Sequence, residues 1–380
     1  MSTGRFDDPE AFREQVRTWL ARVPRPAGLR DYGPTPTLAD VPTGRRWQRV
    51  LMDHGYACLH WPVEYGGAGA PAAFQAVFAE ECARAGVPRQ VNIVGPDLAG
   101  PVVMRFGTAR QRERYLPGIR SGEHLWCQLF SEPEAGSDLA SVRTRAVEDG
   151  DGWCIDGQKV WTSAAAGADF GLLLARTGGP GHAGLSAFVV PMRTRGVVVR
   201  PLVQMDRESR FNEVFLTSVF LDGAALLGPV GGGWAVATAT LGQERLALGA
   251  NAVGMFAALE SIRTAARQRG LLDAGFADRL VQLWSRVTLL RATWYRAVSE
   301  TTDPSSSTFS VLKLLSSEAY YDIGQLASDA LGLDGLADPL DEPLVHLMLT
   351  AHGQTILGGT SEIQRNILAE RILGLPRERS

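Results

Sequence analysis

Three short stretches of the chain combine residue types that can bind a polar ligand. The first, residues 128–138, reads QLFSEPEAGSD and follows a strand-like apolar run. Pro133 removes a backbone donor and stops a central strand, while Gly136 permits a close backbone approach. The hydroxyls of Ser131 and Ser137 stand beside free N–H groups. Such a turn can hold a polar ligand at the lip of a sheet, although an isolated stretch of this kind is more often a plain surface turn.

The second stretch, residues 157–164, reads GQKVWTSA. The apolar residues around it predict two strands, and Asp156-Gly157 is a strong signal for the two-residue turn of a hairpin between them. Trp161 would then lie close to the end of the second strand. Taken alone, this tryptophan is more often a core aromatic residue than a ligand contact.

The third stretch, residues 358–365, reads GGTSEIQR. Ser361 and Gln364 have the Ser-x-x-Gln spacing of a capping box, which predicts a helix that starts at Ser361 and leaves Thr360 for a ligand. A helix N-terminus offers unpaired N–H groups and a partial positive charge. A simple helix cap and a ligand contact are compatible readings of this stretch.

In this order, the three stretches resemble the acyl-CoA dehydrogenase family of flavoproteins, and the resemblance covers nearly the whole chain. It implies an α+β multidomain fold with an N-terminal α-helical domain, a middle antiparallel β-barrel-like domain and a C-terminal four-helix bundle. The expected bounds of these domains are 1–122, 123–228 and 229–380.

The resemblance also implies FAD as the cofactor and assigns its contacts. Trp161 would form a wall for the flavin ring, and Ser163 would donate to the edge of the ring. The full set expected to contact FAD is Gln128, Phe130, Ser131, Gly136, Ser137, Trp161, Thr162, Ser163, Arg269, Thr360, Ser361 and Glu362. The residues expected to contact the substrate are Ser137, Arg245, Gly358 and Gly359. No metal ligand is expected.

The family reaction removes two hydrogens across Cα–Cβ of an acyl thioester, and it needs a carboxylate base. The base takes the α-proton, so partial desolvation should bring its pKa close to the working pH. The usual family position for this base falls on Gly358, which has no side chain. The isovaleryl-CoA-type position falls on Glu244, immediately before Arg245, and we expect Glu244 to be the base. The competing reading is a solvated Glu244–Arg245 pair on a helix surface.

Two other family positions have changed in this chain. Arg269-Gly270 lacks the Phe-Gly that normally follows this arginine, and a segment that is Gln-x-x-Gly-Gly in the family reads DALGL at 329–333. Both changes concern groups that reach FAD across a subunit boundary in the family. They raise the alternatives of a homologous partner subunit, or of a non-catalytic scaffold role. A flavin-dependent acyl oxidase is a third alternative.

The elements that must position these residues follow from periodicity. Apolar residues at helical spacing predict helices at 8–22, 44–55, 72–85, 96–106, 108–119, 234–269, 276–300, 309–331 and 361–373. Between them, from His124 to about Leu227, short apolar runs separated by Gly, Asp and Pro predict an all-β segment. The order helical, β, helical agrees with the plan that the resemblance implies.

Composition excludes several classes of function. The chain has 380 residues, of which 45% are hydrophobic and 21% charged, and its formal net charge of -3 gives no basic footprint for nucleic acid. We find no run that would span a bilayer and no secretory signal, so we expect no membrane contact and a cytoplasmic location. Four scattered cysteines give no zinc spacing and are expected to be reduced.

The expected partners follow from the resemblance. They are an acyl-CoA or acyl carrier protein thioester as substrate, and electron-transfer flavoprotein or oxygen as electron acceptor. We also expect a homo-oligomer, a dimer or tetramer, with pairing to a homologous subunit as the alternative.

Overall fold

The computed structural model describes residues 5–248, 252–300, 306, 308–333 and 342–376, and for 244–248 it describes the backbone alone. The chain divides into two compact units. The first comprises 1–204 and 208–241, and the second comprises 205–207 and 242–380.

The N-terminal part of the first unit is helical, as the periodicity predicts. Its helices are α1 (Pro9–Arg22), α2 (Val41–Asp53), α3 (Ala72–Arg84), α4 (Gly100–Phe106) and α5 (Ala109–Ser121). The side chain of Asp8 caps α1 by accepting from the Glu10 N–H at 2.9 Å. Phe12, Val16 and Leu20 recur on one face of α1 and are buried, because a 3.6-residue period brings them together.

The predicted β segment of the first unit forms one sheet. Its strands are β1 (Trp126–Leu129), β2 (Arg145–Asp149), β3 (Gly152–Ser163), β4 (Phe170–Arg176), β5 (Leu185–Pro191), β6 (Val197–Leu202), β7 (Phe211–Asp222) and β8 (Leu226–Leu227). The order is β6-β7-β3-β2-β4-β5-β8, with β1 paired to β4. Most pairs are antiparallel, but β1–β4 and the short β2–β4 contact are parallel.

The predicted hairpin at Asp156-Gly157 is wrong. β3 runs without a turn from Gly152 to Ser163, and its register against β7 shifts between Ile155 and Gly157, which is a β-bulge. A Cβ on Gly157 would stand 2.3 Å from the Thr144 Oγ1 atom, so only glycine permits this approach. The Asp156 Oδ1 atom accepts from the Ser218 N–H at 2.7 Å. The tight turn lies earlier, between β2 and β3.

The second unit is a helical bundle. α6 (Gly233–Leu248) contains the point in the sequence, between Leu241 and Gly242, at which the first unit ends. The further helices of the second unit are α7 (Ala252–Gln268), α8 (Ala274–Glu300), α9 (Thr308–Leu331), α10 (Pro343–Gln354) and α11 (Ser361–Arg371). α9 packs against α7, α8, α10 and α11 through buried residues such as Leu312, Ile323 and Leu326. The helix predicted at 234–269 spans α6 and α7, and residues 249–251 between them lie outside the described residues.

Helix α10 was not predicted from the sequence. Its start is set by Pro343 in the first turn and by Glu342, whose carboxylate accepts from the N–H groups of Leu344 and Val345. Across the described part of the chain, no helix combines the length and the apolar character needed to cross a membrane.

Candidate active site

The loop that follows β1 is joined to β3 at two places. The Val160 N–H donates to the Ser131 carbonyl at 2.9 Å, so the 128–138 stretch and the 157–164 stretch lie side by side. Phe130 is buried, whereas Ser137 and Gly136 are exposed. No heavy atom lies within 4 Å of the place where a Cβ on Gly136 would stand, so the outer side of the loop is open.

A buried ion pair makes the second connection between the loop and β3. The Lys159 Nζ atom donates to the Phe130 carbonyl at 2.9 Å and to Glu132 Oε1 at 2.8 Å. The Glu132 carboxylate also accepts from the N–H groups of Arg143 at 2.6 Å and Thr144 at 2.9 Å. One carboxylate therefore fixes three segments of backbone.

The surroundings of this pair shift the pKa values of both residues. Burial lowers the pKa of Lys159 to about 8, although the adjacent Glu132 carboxylate acts in the opposite direction. Burial also tends to raise the pKa of Glu132, but the Lys159 ammonium and the N–H donors outweigh it and hold that pKa below its ordinary value. Sequence reasoning missed both residues. No local signal marks them, because a lysine in a strand and a glutamate in a turn look like surface residues until their burial is known.

Trp161 is not a core residue of its unit. Its side chain is 62% exposed, and its backbone has a φ of 58°, a left-handed conformation that costs energy for a bulky residue. The register of β3 against β7 shifts at this point, between Lys159 and Thr162. The chain therefore bends locally and turns the indole outward, with one edge towards Phe211.

The neighbour of Trp161 shows the opposite behaviour. Thr162 is 1% exposed, and its carbonyl accepts from the Asn212 Nδ2 atom at 3.0 Å. Its Oγ1 atom is buried and has no hydrogen-bond partner within the described residues, and the same holds for Gln128 Oε1 and Asn212 Oδ1. Buried polar atoms are rarely left unpaired, and a ligand is one reason for an exception. A flavin ring, flat and apolar on its faces and polar at its edges, fits this set.

In the second unit, the start of α11 differs from the prediction. Thr360 is the capping residue, because its backbone is extended and its Oγ1 atom accepts from the Ile363 N–H at 3.2 Å. Ser361 is already the first helical residue and not the cap, so the predicted capping box of Ser361 and Gln364 is wrong. The hydroxyl left for a ligand is that of Ser361, which is 4% exposed and has an Oγ atom without a partner in the described structure.

Two glycines lead into this helix. Gly358 and Gly359 have φ values of 66° and 93°, so the turn before Thr360 needs residues that tolerate a left-handed backbone. In the first turn, Glu362 is exposed, and its pKa is lowered by its own backbone N–H and then by the Thr360 hydroxyl. The helix start therefore offers N–H and O–H donors to a ligand that carries phosphate or carbonyl oxygens.

The remaining predicted site residues are distributed as follows. Glu244 and Arg245 lie on α6, but their side chains are outside the described residues. Arg269 is exposed and directly follows α7. In the changed 329–333 segment, Asp329 pairs with the Arg279 guanidinium at 2.6 Å. Among the described residues, no cluster of His, Cys, Asp and Glu is arranged to hold a metal ion.

Comparison with known families matches three models in chain order. The N-terminal domain model of acyl-CoA dehydrogenase matches residues 7–123, the middle domain model matches 127–219, and the C-terminal domain model matches 231–373. Together they account for nearly all of the chain.

Individual relatives agree with these matches. The acyl-CoA dehydrogenase IpdE1 of Mycobacterium tuberculosis is 41% identical over 382 residues, which covers 98% of this chain and 99% of the relative. Among solved structures, the ChsE4-ChsE5 complex of Mycobacterium tuberculosis has a TM-score of 0.83 at 28% identity and covers 98% of both chains. A protein named Tcur3481-Tcur3483 steroid ACAD has a TM-score of 0.82 at 28% identity, and the match covers 97% of this chain and 98% of that chain. The chain therefore belongs to the acyl-CoA dehydrogenase family and is an FAD-dependent acyl-CoA dehydrogenase.

Proposed function

We propose that the protein catalyses α,β-dehydrogenation of an acyl thioester, with Glu244 as the base. The observation that carries this proposal best is the outward-turned Trp161 beside the buried Thr162 hydroxyl, which has no hydrogen-bond partner among the described residues. A strained backbone conformation persists where the surrounding structure maintains it, and such strain concentrates at functional sites. This pair offers an apolar face and a polar edge, as the binding of a flavin ring requires.

The proposed chemistry divides between the cofactor and the protein. When bound, FAD supplies the acceptor for the hydride that leaves Cβ. Glu244 takes the proton from Cα, where the thioester carbonyl makes the C–H bond acidic. Donors near that carbonyl oxygen would stabilise the negative charge that develops on it. The Lys159–Glu132 pair positions the loop and the strand that contact the cofactor.

The assignment of the base has two grounds: the usual family position offers no carboxylate, and the alternative position does. Gly358 occupies the usual family position and offers no carboxylate. Glu244 occupies the alternative position on α6, followed by Arg245 as in isovaleryl-CoA-type members. A glycine at 358 also leaves room for a base that comes from another helix.

We further propose the binding sets that the resemblance implies. In the first unit, Gln128, Phe130, Ser131, Gly136, Ser137, Trp161, Thr162 and Ser163 bind FAD; in the second, Arg269, Thr360, Ser361 and Glu362 do so. Ser137, Arg245, Gly358 and Gly359 contact the substrate. The hydroxyls of Thr162 and Ser361, which lack a hydrogen-bond partner in the part of the chain that the structure describes, support one assignment in each unit.

The proposed acyl group is bulky. The displaced base favours a branched, aryl or otherwise bulky chain, and the name of the relative Tcur3481-Tcur3483 steroid ACAD supports a polycyclic one. Electrons then pass to electron-transfer flavoprotein, or to oxygen if the protein works as an oxidase.

We propose an oligomer, with a homologous subunit as the alternative partner. The pairing of Asp329 with Arg279, in a segment changed from the family pattern, and the name of the ChsE4-ChsE5 complex favour that alternative. We also propose domain bounds of 1–122, 123–228 and 229–380, close to the family matches, and a cytoplasmic location, which the four free cysteines support.

The proposal is tested by a screen of acyl thioesters for anaerobic bleaching of the flavin. Straight-chain, branched, aryl and polycyclic acyl groups would be compared at equal concentration. We expect yellow protein that one of the bulky thioesters bleaches fastest. Colourless protein that rejects added FAD would instead indicate a non-catalytic partner subunit.

A further inference from the structure

Lysine is rare in this chain, and its lysines occupy unusual positions. Of the 38 lysine and arginine residues, only Lys159 and Lys313 are lysines. Both are buried, with exposures of 0% and 1%, whereas every described arginine is at least partly exposed. Lysine is ordinarily among the most exposed residue types. Burial at both positions therefore indicates that each ammonium serves a specific partner.

Lys313 lies on α9 and holds the end of α10. Its Nζ atom donates to the Gln354 carbonyl at 2.9 Å and to the Ser317 Oγ atom at 3.2 Å. The next carbonyl along the chain, that of Thr355, accepts from the Ser361 N–H at 3.0 Å. This main-chain bond closes the loop between α10 and α11, and Lys313 fixes the residue beside it.

Lys159 makes the same arrangement in the first unit. Its Nζ atom donates to the Phe130 carbonyl at 2.9 Å, and the next carbonyl, that of Ser131, accepts from the Val160 N–H at 2.9 Å. In each unit, a buried ammonium binds one carbonyl, and the following carbonyl closes a main-chain contact of a motif in which we place cofactor contacts. The repeated arrangement indicates a common role for the two lysines.

The start of α11 is the part of the second unit that Lys313 holds in this way. Ser361 Oγ and Gln364 Oε1 lie there in side chains that are 4% and 1% exposed, and both atoms lack a hydrogen-bond partner among the described residues. The backbone N–H of Glu362 and the Thr360 hydroxyl contribute most to the lowered pKa of Glu362, and the Lys313 ammonium acts in the same direction. The ammonium therefore acts on this helix start through space as well as through the loop.

We propose that Lys313 is a positioning residue for the cofactor: its ammonium fixes the loop before α11 so that Thr360 and Ser361 contact FAD, and an arginine cannot replace it. An ammonium is compact and can turn its three donors towards the acceptors around it, whereas a guanidinium is a planar fork with five donors. A buried site shaped for the first does not satisfy the second. The proposal rests on the proposed cofactor contacts of Thr360 and Ser361.

Hydrogen exchange in the holoenzyme tests the hold on the loop without any turnover. Lys313→Met keeps the length of the side chain and removes the donor. We expect peptides that cover 355–364 to exchange roughly 10-fold faster than in the wild type, since a hydrogen bond to a charged group contributes about that factor. The matched control is Leu326→Ala, which removes buried side-chain volume about 20 Å further along α9. It should lower the thermal midpoint and leave these peptides close to the wild-type exchange rate.

The release of FAD from the diluted holoenzyme, followed by flavin fluorescence, tests the link to the cofactor. We expect release to be roughly 10-fold faster in both Lys313→Met and Lys313→Arg, and to stay at the wild-type rate in Leu326→Ala. A lysine that only stabilised the fold would give the release rate of the control at a matched loss of thermal midpoint. If Lys313→Met does not fold, Lys313→Arg supplies both measurements.

Exchange of 355–364 at the wild-type rate would overturn the proposal, and so would faster exchange with unchanged release of FAD. Wild-type release from Lys313→Arg would overturn the requirement for an ammonium. A failure of the proposed function is recognised separately, because no thioester then bleaches the flavin, while exchange and FAD release still decide the role of Lys313.

Discussion

Lys159 and Glu132 link the strand that carries Trp161 to the loop that begins at Phe130. Lys159 is fully buried, and its ammonium bridges a carbonyl and a carboxylate. A buried pair of this kind is costly to break, because loss of one partner leaves an uncompensated charge. We therefore regard the pair as a positioning device for the proposed cofactor contacts on both sides of it.

The Lys159–Glu132 pair predicts how the stability of the protein depends on pH. The pKa of Lys159 is about 8 in the fold, against an ordinary value of 10.5, so between these values the unfolded chain binds more protons and stability should rise with pH. The contribution of Lys159 to the free energy of unfolding should have increased by ~3 kcal/mol once the pH passes 10.5. We expect the thermal midpoint of the wild type, relative to that of Lys159→Met, to increase from pH 7.5 to 10.5.

The comparison with Lys159→Met removes contributions that the two proteins share. If the difference in thermal midpoint between wild type and Lys159→Met is constant across this pH range, the lysine keeps an ordinary pKa. A falling difference would mean that burial does not penalise its charge.

At the residue scale, the motifs themselves were readable from the sequence. Ser131, Trp161 and Thr360 were identified because their neighbours match a known pattern. Which hydroxyl caps α11 was not readable, since Thr360 and Ser361 are both good capping residues and only backbone geometry selects Thr360. The function of Lys159 was also hidden, because a lysine in a strand looks like a surface residue until its burial is known.

At the scale of elements, strong periodicity was sufficient for most helices. Residues 8–22 and 276–300 were predicted within two residues of α1 and α8. The hairpin failed for a physical reason: Asp-Gly suits both a two-residue turn and a β-bulge, and the long-range contact of Gly157 with Thr144 decides between them. Such a contact is invisible in a local pattern.

The packing of α9 on α10 gives a prediction at this scale. A Cβ on Gly324 would stand 2.4 Å from the Ala351 Cβ atom, so the two helices must separate to accommodate it. Gly324→Ala should destabilise the protein by about 1–3 kcal/mol despite the better helix propensity of alanine. Thermal unfolding would measure the change.

The matched control lies on α7. A Cβ on Gly254 meets no heavy atom of the described residues within 4 Å. Gly254→Ala should therefore raise the thermal midpoint, with a gain in stability of up to about 1 kcal/mol. If both substitutions raise the midpoint, the close approach of α9 and α10 is incorrect.

At the scale of the whole molecule, exposed apolar side chains on α8 point to assembly. Val281, Trp284 and Leu289 are 61%, 41% and 57% exposed in the single chain. Large exposed apolar groups in one region commonly mark an interface. The three-part order of the chain was readable from the sequence, but an interface on this face was not, because one sequence does not record its partner.

We predict that Trp284→Asp yields a smaller species in sedimentation velocity than the wild-type protein. A charge at this position would be desolvated in an interface without a partner, which is costly. Ser261→Asp adds the same charge at an exposed position of another helix, α7, and should leave the mass unchanged. If both variants keep the wild-type mass, this region of α8 is not an interface.

Glu244 is the proposed base for the α-proton, and the anaerobic bleaching rate of Glu244→Gln measures its role. The amide keeps the size of the side chain but cannot accept the proton. We predict yellow protein with the wild-type FAD content and a bleaching rate, with the best thioester of the screen, that is lower by at least ~10²-fold. Bleaching at the wild-type rate would contradict the assignment of the base.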